Sequence, residues 1–221
     1  MKKLGALLVG LGLVTGSVFA EASNSAVSVN AVGFVNVSLQ SNVWKLVCMP
    51  FDKVDNTLPT IGDVLDPNGN SLPNGLTVLL WNGITYVNED YYTGFGFYPG
   101  TNKLVRGSGA WVRSPSDITI AIAGQVPSTN QTTTAIDPGY NLVSFPYPVS
   151  TPISNTVLQV IGSVGDSILR ATPTGYDSAD FYLGFGWYPA DFMLNPGEGY
   201  WYRSQSLTAT NWNQPKPYQW P

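Results

Sequence analysis

Short segments of alternating apolar and polar residues run through most of the chain, and Gly or Pro interrupts them roughly every eight to twelve residues. The segments are rich in Val, Ile, Thr, Tyr, Phe and Trp, side chains that suit a pleated surface covered on one side. The pattern predicts an all-β chain of many short strands. An opening strand or two is expected from Val27, Val29 and Ala31 through Phe34, Val35 and Val37. Further strands are expected near residues 44–49, 76–81, 86–92, 96–98, 110–113 and 118–123, then near 141–145, 167–171, 180–183, 186–188, 200–203 and 207–210. One short helix is expected in each half. Asn56-Thr57-Leu58 leads to Ile61, Val64 and Leu65, and Asn155-Thr156-Val157 leads to Leu158 and Ile161, with each Asn placed to cap.

The pattern is written twice. Gly94-Phe95-Gly96-Phe97-Tyr98-Pro99 returns as Gly184-Phe185-Gly186-Trp187-Tyr188-Pro189, ninety positions later. At the same offset Tyr86, Asp90, Tyr92, Trp111 and Arg113 match Tyr176, Asp180, Tyr182, Trp201 and Arg203. The chain then divides into residues 1–20, a leader; 21–39, an opening strand segment; 40–124, repeat one; 125–138, a linker rich in Thr, Ser, Pro and Asn; 139–210, repeat two; and 211–221, a Pro-rich tail. A core of one such repeat is marginal by itself. Two small sandwich- or barrel-like modules packed together are therefore expected, with the opening segment completing one sheet.

Gly139-Tyr140-Asn141-Leu142-Val143-Ser144-Phe145-Pro146, followed by Leu194-Asn195-Pro196-Gly197-Glu198-Gly199-Tyr200-Trp201, resembles a module of secreted bacterial surface proteins of the form GWNLISLP…GxGYW. Repeat one departs from it, with Val43-Trp44-Lys45-Leu46-Val47 at its start and Gly107-Ser108-Gly109-Ala110-Trp111 near its end. Asn30-Ala31-Val32-Gly33-Phe34-Val35-Asn36-Val37 is similar to the leader strand of small exported proteins built from this module. The resemblance implies a β-rich extracellular module without an assigned chemistry.

Met1-Lys2-Lys3, an apolar run over residues 4–19 and the small residues of Val18-Phe19-Ala20 form a secretory signal with cleavage expected after Ala20. The run falls short of the ~20 residues of a spanning helix, and no later stretch is apolar enough to span a membrane. Loss of Lys2 and Lys3 takes the net charge from −4 to about −6. An acidic, charge-poor surface does not suit nucleic acid. Cys48 is the only cysteine, so no intrachain disulfide can form; it reads as a small buried strand residue, with an intermolecular disulfide as the alternative. The chain has no histidine, which excludes Ser-His-Asp and Cys-His catalysis and removes the commonest metal ligand. No catalytic set, metal site or cofactor is expected.

The Gly94–Pro99 phrase lacks the Lys and following helix of a phosphate loop and reads as a tight turn. Asp66-Pro67-Asn68-Gly69-Asn70 lacks the terminal acid of a calcium loop and reads as an Asx-rich turn. Asp90 with Arg113, and Asp180 with Arg203, read as structural ion pairs between neighbouring strands, or Arg113 lies along Trp111 instead, with a ligand-binding ion pair as the alternative; Trp111 and Trp201 share a structural face with the Arg residues. The opposite face, Ala110 and Val112 or Tyr200 and Tyr202, is left for each copy's own neighbours, solvent or ligand. Tyr98, Trp187, Tyr188, Tyr200 and Tyr202 are the candidate glycan- or partner-contact aromatics.

These readings lead to an exported, non-enzymatic repeat protein that assembles with copies of itself or with other envelope proteins, in the cell envelope, a matrix or a filament. Residues 27–37 are the candidate donor strand for such assembly. The alternative is a carbohydrate-binding or adhesive module using the duplicated aromatics.

Overall fold

The computed structural model describes residues 31–69 and 71–219, so the expected leader and the Val27–Val29 part of the opening segment lie outside it. Repeat one contains β1 (Val32–Leu39), β2 (Trp44–Cys48), α1 (Ile61–Leu65), β3 (Thr77–Trp81), β4 (Tyr86–Tyr92), β5 (Gly96–Tyr98), β6 (Gly109–Arg113) and β7 (Ile118–Gln125). Repeat two contains β8 (Gln131–Ile136), β9 (Gly139–Ser144), β10 (Thr151–Pro152), α2 (Leu158–Ile161), β11 (Ser167–Thr172), β12 (Gly175–Tyr182), β13 (Gly186–Tyr188), β14 (Met193–Leu194), β15 (Gly199–Ser204) and β16 (Thr210–Pro215). The chain is all-β, as its alternation predicts.

Both repeats have one topology. A five-stranded antiparallel sheet runs β2-β6-β3-β4-β5 in repeat one and β9-β15-β11-β12-β13 in repeat two. A two-stranded ribbon, β1-β7 or β8-β16, accompanies each. This redraws the expected boundaries. The described part of the opening segment supplies the first ribbon strand of repeat one, the expected linker holds its equivalent β8, and the expected tail holds most of β16. The last strand, expected at 207–210, begins only at Thr210. Thr and Asn read as loop by composition, but in β8 and β16 Thr133, Asn211 and Asn213 line the outward side of a ribbon whose inward residues Ile136, Trp212 and Gln214 are buried, with Thr132, Thr134 and Thr210 half-buried among them.

The helices form where expected but not with the expected caps. Thr60, not Asn56, caps α1 in a reciprocal capping box with Asp63. Asn155 lies in a 3-10 turn, and the hydroxyl of Thr156 accepts from the Leu158 N–H at 3.3 Å.

Each repeat has its own core between sheet, ribbon and helix. In repeat one it contains Val37, Phe51, Ile61, Leu76, Val78, Tyr91, Val112 and Ile122. In repeat two it contains Ile136, Phe145, Leu158, Ile168, Trp187, Tyr200, Tyr202 and Trp212. Large and small residues are exchanged between equivalent rows. Glu89, Val78 and Val112 lie side by side in one sheet where Ala179, Ile168 and Tyr202 lie in the other, so the bulk of Tyr202 is offset by a small neighbour two strands away.

The repeats meet reciprocally. The Cys48 N–H donates to the Gly197 carbonyl at 3.2 Å, and the Ser144 N–H donates to the Gly107 carbonyl at 2.9 Å. Gly109 and Gly199 stack on one another: a Cβ built on either would lie 3.4 Å from the other's Cα. These paired contacts define an approximate internal twofold. Off that axis, Arg106 joins the repeats through an ion pair with Asp52 at 2.6 Å and a hydrogen bond to the Thr132 hydroxyl at 2.8 Å. Cys48 is fully buried at the seam, and burial pushes its thiol pKa up to about 12. Cys48 is therefore the small buried strand residue expected, and the native fold keeps it from an intermolecular disulfide. Among the described residues no helix is long and apolar enough to cross a membrane.

Candidate aromatic interaction surfaces

Strand register sets the first surface. On the sheet face opposite the core, Tyr98, Asp90, Thr77, Arg113 and Trp44 fall in one row across β5, β4, β3, β6 and β2. Repeat two repeats the row as Tyr188, Asp180, Ser167, Arg203 and Tyr140. Five strands place the outer aromatics roughly 19 Å apart at ordinary strand spacing.

The expected Asp–Arg ion pairs do not form. A hydroxyl stands between them on the middle strand: Thr77 donates to Asp90 at 2.8 Å, and Ser167 donates to Asp180 at 2.5 Å. Each Asp lies two strand spacings from its Arg and is engaged by the hydroxyl between them. Each Arg instead lies over an aromatic ring of the neighbouring edge strand, Arg113 at 4.9 Å from the Trp44 centroid and Arg203 at 6.0 Å from that of Tyr140.

Of the two faces of β6 and β15, the one left for each copy's own neighbours, solvent or ligand is the one that meets the core. Ala110, Val112, Tyr200 and Tyr202 face the cores and are buried. Tyr202 donates to the buried carboxylate of Asp166 at 2.5 Å, and Tyr200 donates to Glu198 at 2.9 Å. Burial raises both phenols well above their ordinary range. Trp187 is buried too, and its ring N–H donates to the Leu158 carbonyl at 3.0 Å. Trp187, Tyr200 and Tyr202 therefore leave the group of contact aromatics. Trp111 and Trp201 stay half-buried on the face turned toward the other repeat.

Tyr98 and Tyr188 remain, 74% and 71% exposed, beside hairpin tips whose Phe residues the sequence reading did not name as contacts. Phe95 is 93% exposed and Phe185 88%, and both are flanked by exposed Tyr92 or Tyr182. The tips are tight turns, as the glycine pattern suggests. Gly94, Gly96, Gly184 and Gly186 have φ of +87°, +81°, +79° and +77°, a region that glycine enters without steric cost. Phe95 and Phe185, like the tyrosines beside them, are alike in exposure, so both copies present an aromatic tip, to which repeat two adds exposed Leu183 where repeat one has Thr93.

The third feature lies between the sheets. Trp81 packs edge-on against Trp201 at 5.6 Å and Tyr86 at 5.2 Å, and its ring N–H donates to the Tyr140 carbonyl at 2.9 Å. Tyr140 in turn packs on Trp201 at 5.7 Å. Beside this cluster an open cleft of about 270 Å³ is lined by Trp44, Leu79, Tyr86, Trp111 and Tyr176. Burial pushes the Tyr86 phenol above its ordinary range, and the neighbouring Trp111 ring N–H opposes that shift. Alternation along β3, β4 and β6 makes this wall legible in the sequence, but the approach of Tyr176 from the other repeat is not.

No family model, curated protein or solved structure matches the chain.

Proposed function

We propose that this is an exported, non-enzymatic β-repeat protein that assembles with copies of itself as a structural component of the envelope, an extracellular matrix or a filament. The observation that carries the reading is the pair of equivalent hairpin tips, each with a nearly fully exposed Phe between glycines and an exposed Tyr on either side. Clustered exposed rings mark contact surfaces more often than they occur by accident on a monomer. Two like patches on one chain make it bivalent, and bivalent units joined tip to tip extend into a chain rather than stopping at a dimer. Strand donation by residues 27–37 has less support, because β1 is paired with β7 over its whole length. The basic, apolar first twenty residues support export.

The test is sedimentation velocity with electron microscopy on the purified protein and on a Phe95→Ser/Phe185→Ser variant. Self-association that grows with concentration, and that the variant loses at a stability within about 0.5 kcal/mol of wild type, is expected. A strictly monomeric wild type at high concentration would reject the reading.

A second reading, glycan binding, rests on the duplicated aromatic–Asp–hydroxyl–Arg–aromatic row. Its rings can stack on sugar faces while its polar centre hydrogen-bonds hydroxyls. Binding on a glycan array that Tyr98→Ala/Tyr188→Ala abolishes would favour it, and an array without a hit would remove it.

A further inference from the structure

The cleft between the sheets and the seat of Trp81 are counterparts under the internal twofold. The cleft walls Trp44, Leu79, Tyr86, Trp111 and Tyr176 correspond to Tyr140, Leu169, Tyr176, Trp201 and Tyr86. Trp81 contacts three of the latter, Tyr140, Trp201 and Tyr86. The register counterpart of Trp81 is Ala171: Trp81 stands opposite Tyr86 on the adjacent strand, as Ala171 stands opposite Tyr176. One half of the molecule thus fills its aromatic box with an indole of its own chain. The other half lacks that ring and leaves an open cleft.

We propose that this cleft binds a small planar aromatic molecule with an N–H on its edge, of the indole class. The occupied counterpart defines the chemistry. Its ring is held by edge-to-face contacts with Tyr and Trp at centroid distances of 5.2 and 5.6 Å, and its N–H is satisfied by a main-chain carbonyl of the edge strand β9. In the open cleft Trp44 of edge strand β2 is the counterpart of Tyr140. Aromatic walls with few polar groups are what a site for such a ring requires. The inference goes beyond self-assembly and does not depend on it.

The experiment titrates the full purified chain with 5-fluoroindole, followed by fluorine NMR, with oligomeric state measured alongside. Wild type is expected to bind one equivalent with a dissociation constant of about 0.1–1 mM, the range open to so small a ligand. Ala171→Trp supplies the missing ring and is expected to weaken binding at least tenfold. Trp81→Ala opens the counterpart and is expected to raise the stoichiometry to two. Retained cooperative melting identifies the folded variants, and should Ala171→Trp fail that check, the stoichiometry of Trp81→Ala decides. No saturable binding to wild type, unchanged affinity in folded Ala171→Trp, or a single equivalent in folded Trp81→Ala overturns the proposal. Loss of self-association in folded Ala171→Trp also overturns it, since the cleft would then receive a side chain from a second copy.

Discussion

Adding one methyl group at the seam between the repeats should destabilise the whole protein, and Gly199→Ala is the sharpest form of that perturbation. A Cβ at Gly199 would lie 3.0 Å from the Val47 carbonyl oxygen and 3.4 Å from the Leu46 Cβ and the Gly109 Cα. The oxygen cannot swing away, because β2 is fixed along its length by pairing with β6. Overpacking of this kind costs about 1–3 kcal/mol, while replacing Gly by Ala returns about 0.4–1 kcal/mol by restricting the unfolded chain. The net loss is centred on about 1.3 kcal/mol and reaches about 2.6 kcal/mol at most, the central value being about 3–5 °C in melting temperature for a chain of this size. Gly109→Ala, whose Cβ would meet the Val143 oxygen at 3.2 Å, should cost less. The double variant should cost less than the sum of the singles, because one small separation of the sheets relieves both clashes. Gly62→Ala is the control: its Cβ would find ordinary contact with Phe97 at 3.7 Å in a helix, so it should stabilise by about 0.5–1 kcal/mol. Differential scanning calorimetry of wild type and the four variants reads all of this. A Gly199→Ala variant as stable as wild type, or strict additivity in the double variant, would refute the close contact of the glycines.

Cys48 should resist a thiol reagent in the native protein and react stoichiometrically once it is unfolded, since it is fully buried with its thiol pKa near 12; fast modification without unfolding would contradict its place at the seam. Asp166→Ala strands the Tyr202 hydroxyl and the N–H groups of Ser163 and Gln205, and should cost about 2–4 kcal/mol in urea unfolding. A loss below about 0.5 kcal/mol would show those donors finding other partners. The Thr57 hydroxyl and N–H hold Asp55 at a pKa of about 2, below its unfolded value. Its contribution is complete above the unfolded carboxylate range and is lost as pH falls toward 2. Asp55→Asn should therefore flatten the fall in melting temperature between about pH 4 and 2, and an unchanged slope would count against that hydrogen-bonded turn.

Local chemistry made the class of fold and its duplication legible. Alternation needs no distant partner to show a strand, and the Gly-Phe-Gly phrase needs only the φ values of its glycines to become a tip. Alternation also divided β6 and β15 correctly into two faces, Ala/Val or Tyr/Tyr against Trp/Arg. It could not say which face meets the core, because both carry apolar side chains and the second repeat covers part of the outer one. That decision belongs to tertiary packing, and it moved Trp187, Tyr200 and Tyr202 inward. The ion pairs failed for a related reason: β3 enters its sheet between β4 and β6, and β11 enters its own between β12 and β15, so Thr77 and Ser167 separate each Asp from its Arg. The ribbon strand β8 was hidden because it pairs with β16, about eighty residues away, and is a polar run with Ile136 alone as a large apolar side chain. The open cleft was the least accessible feature. The exchange of Trp81 for Ala171 is visible in two aligned repeats, but it becomes a vacancy only where an internal twofold turns the two sheets toward each other.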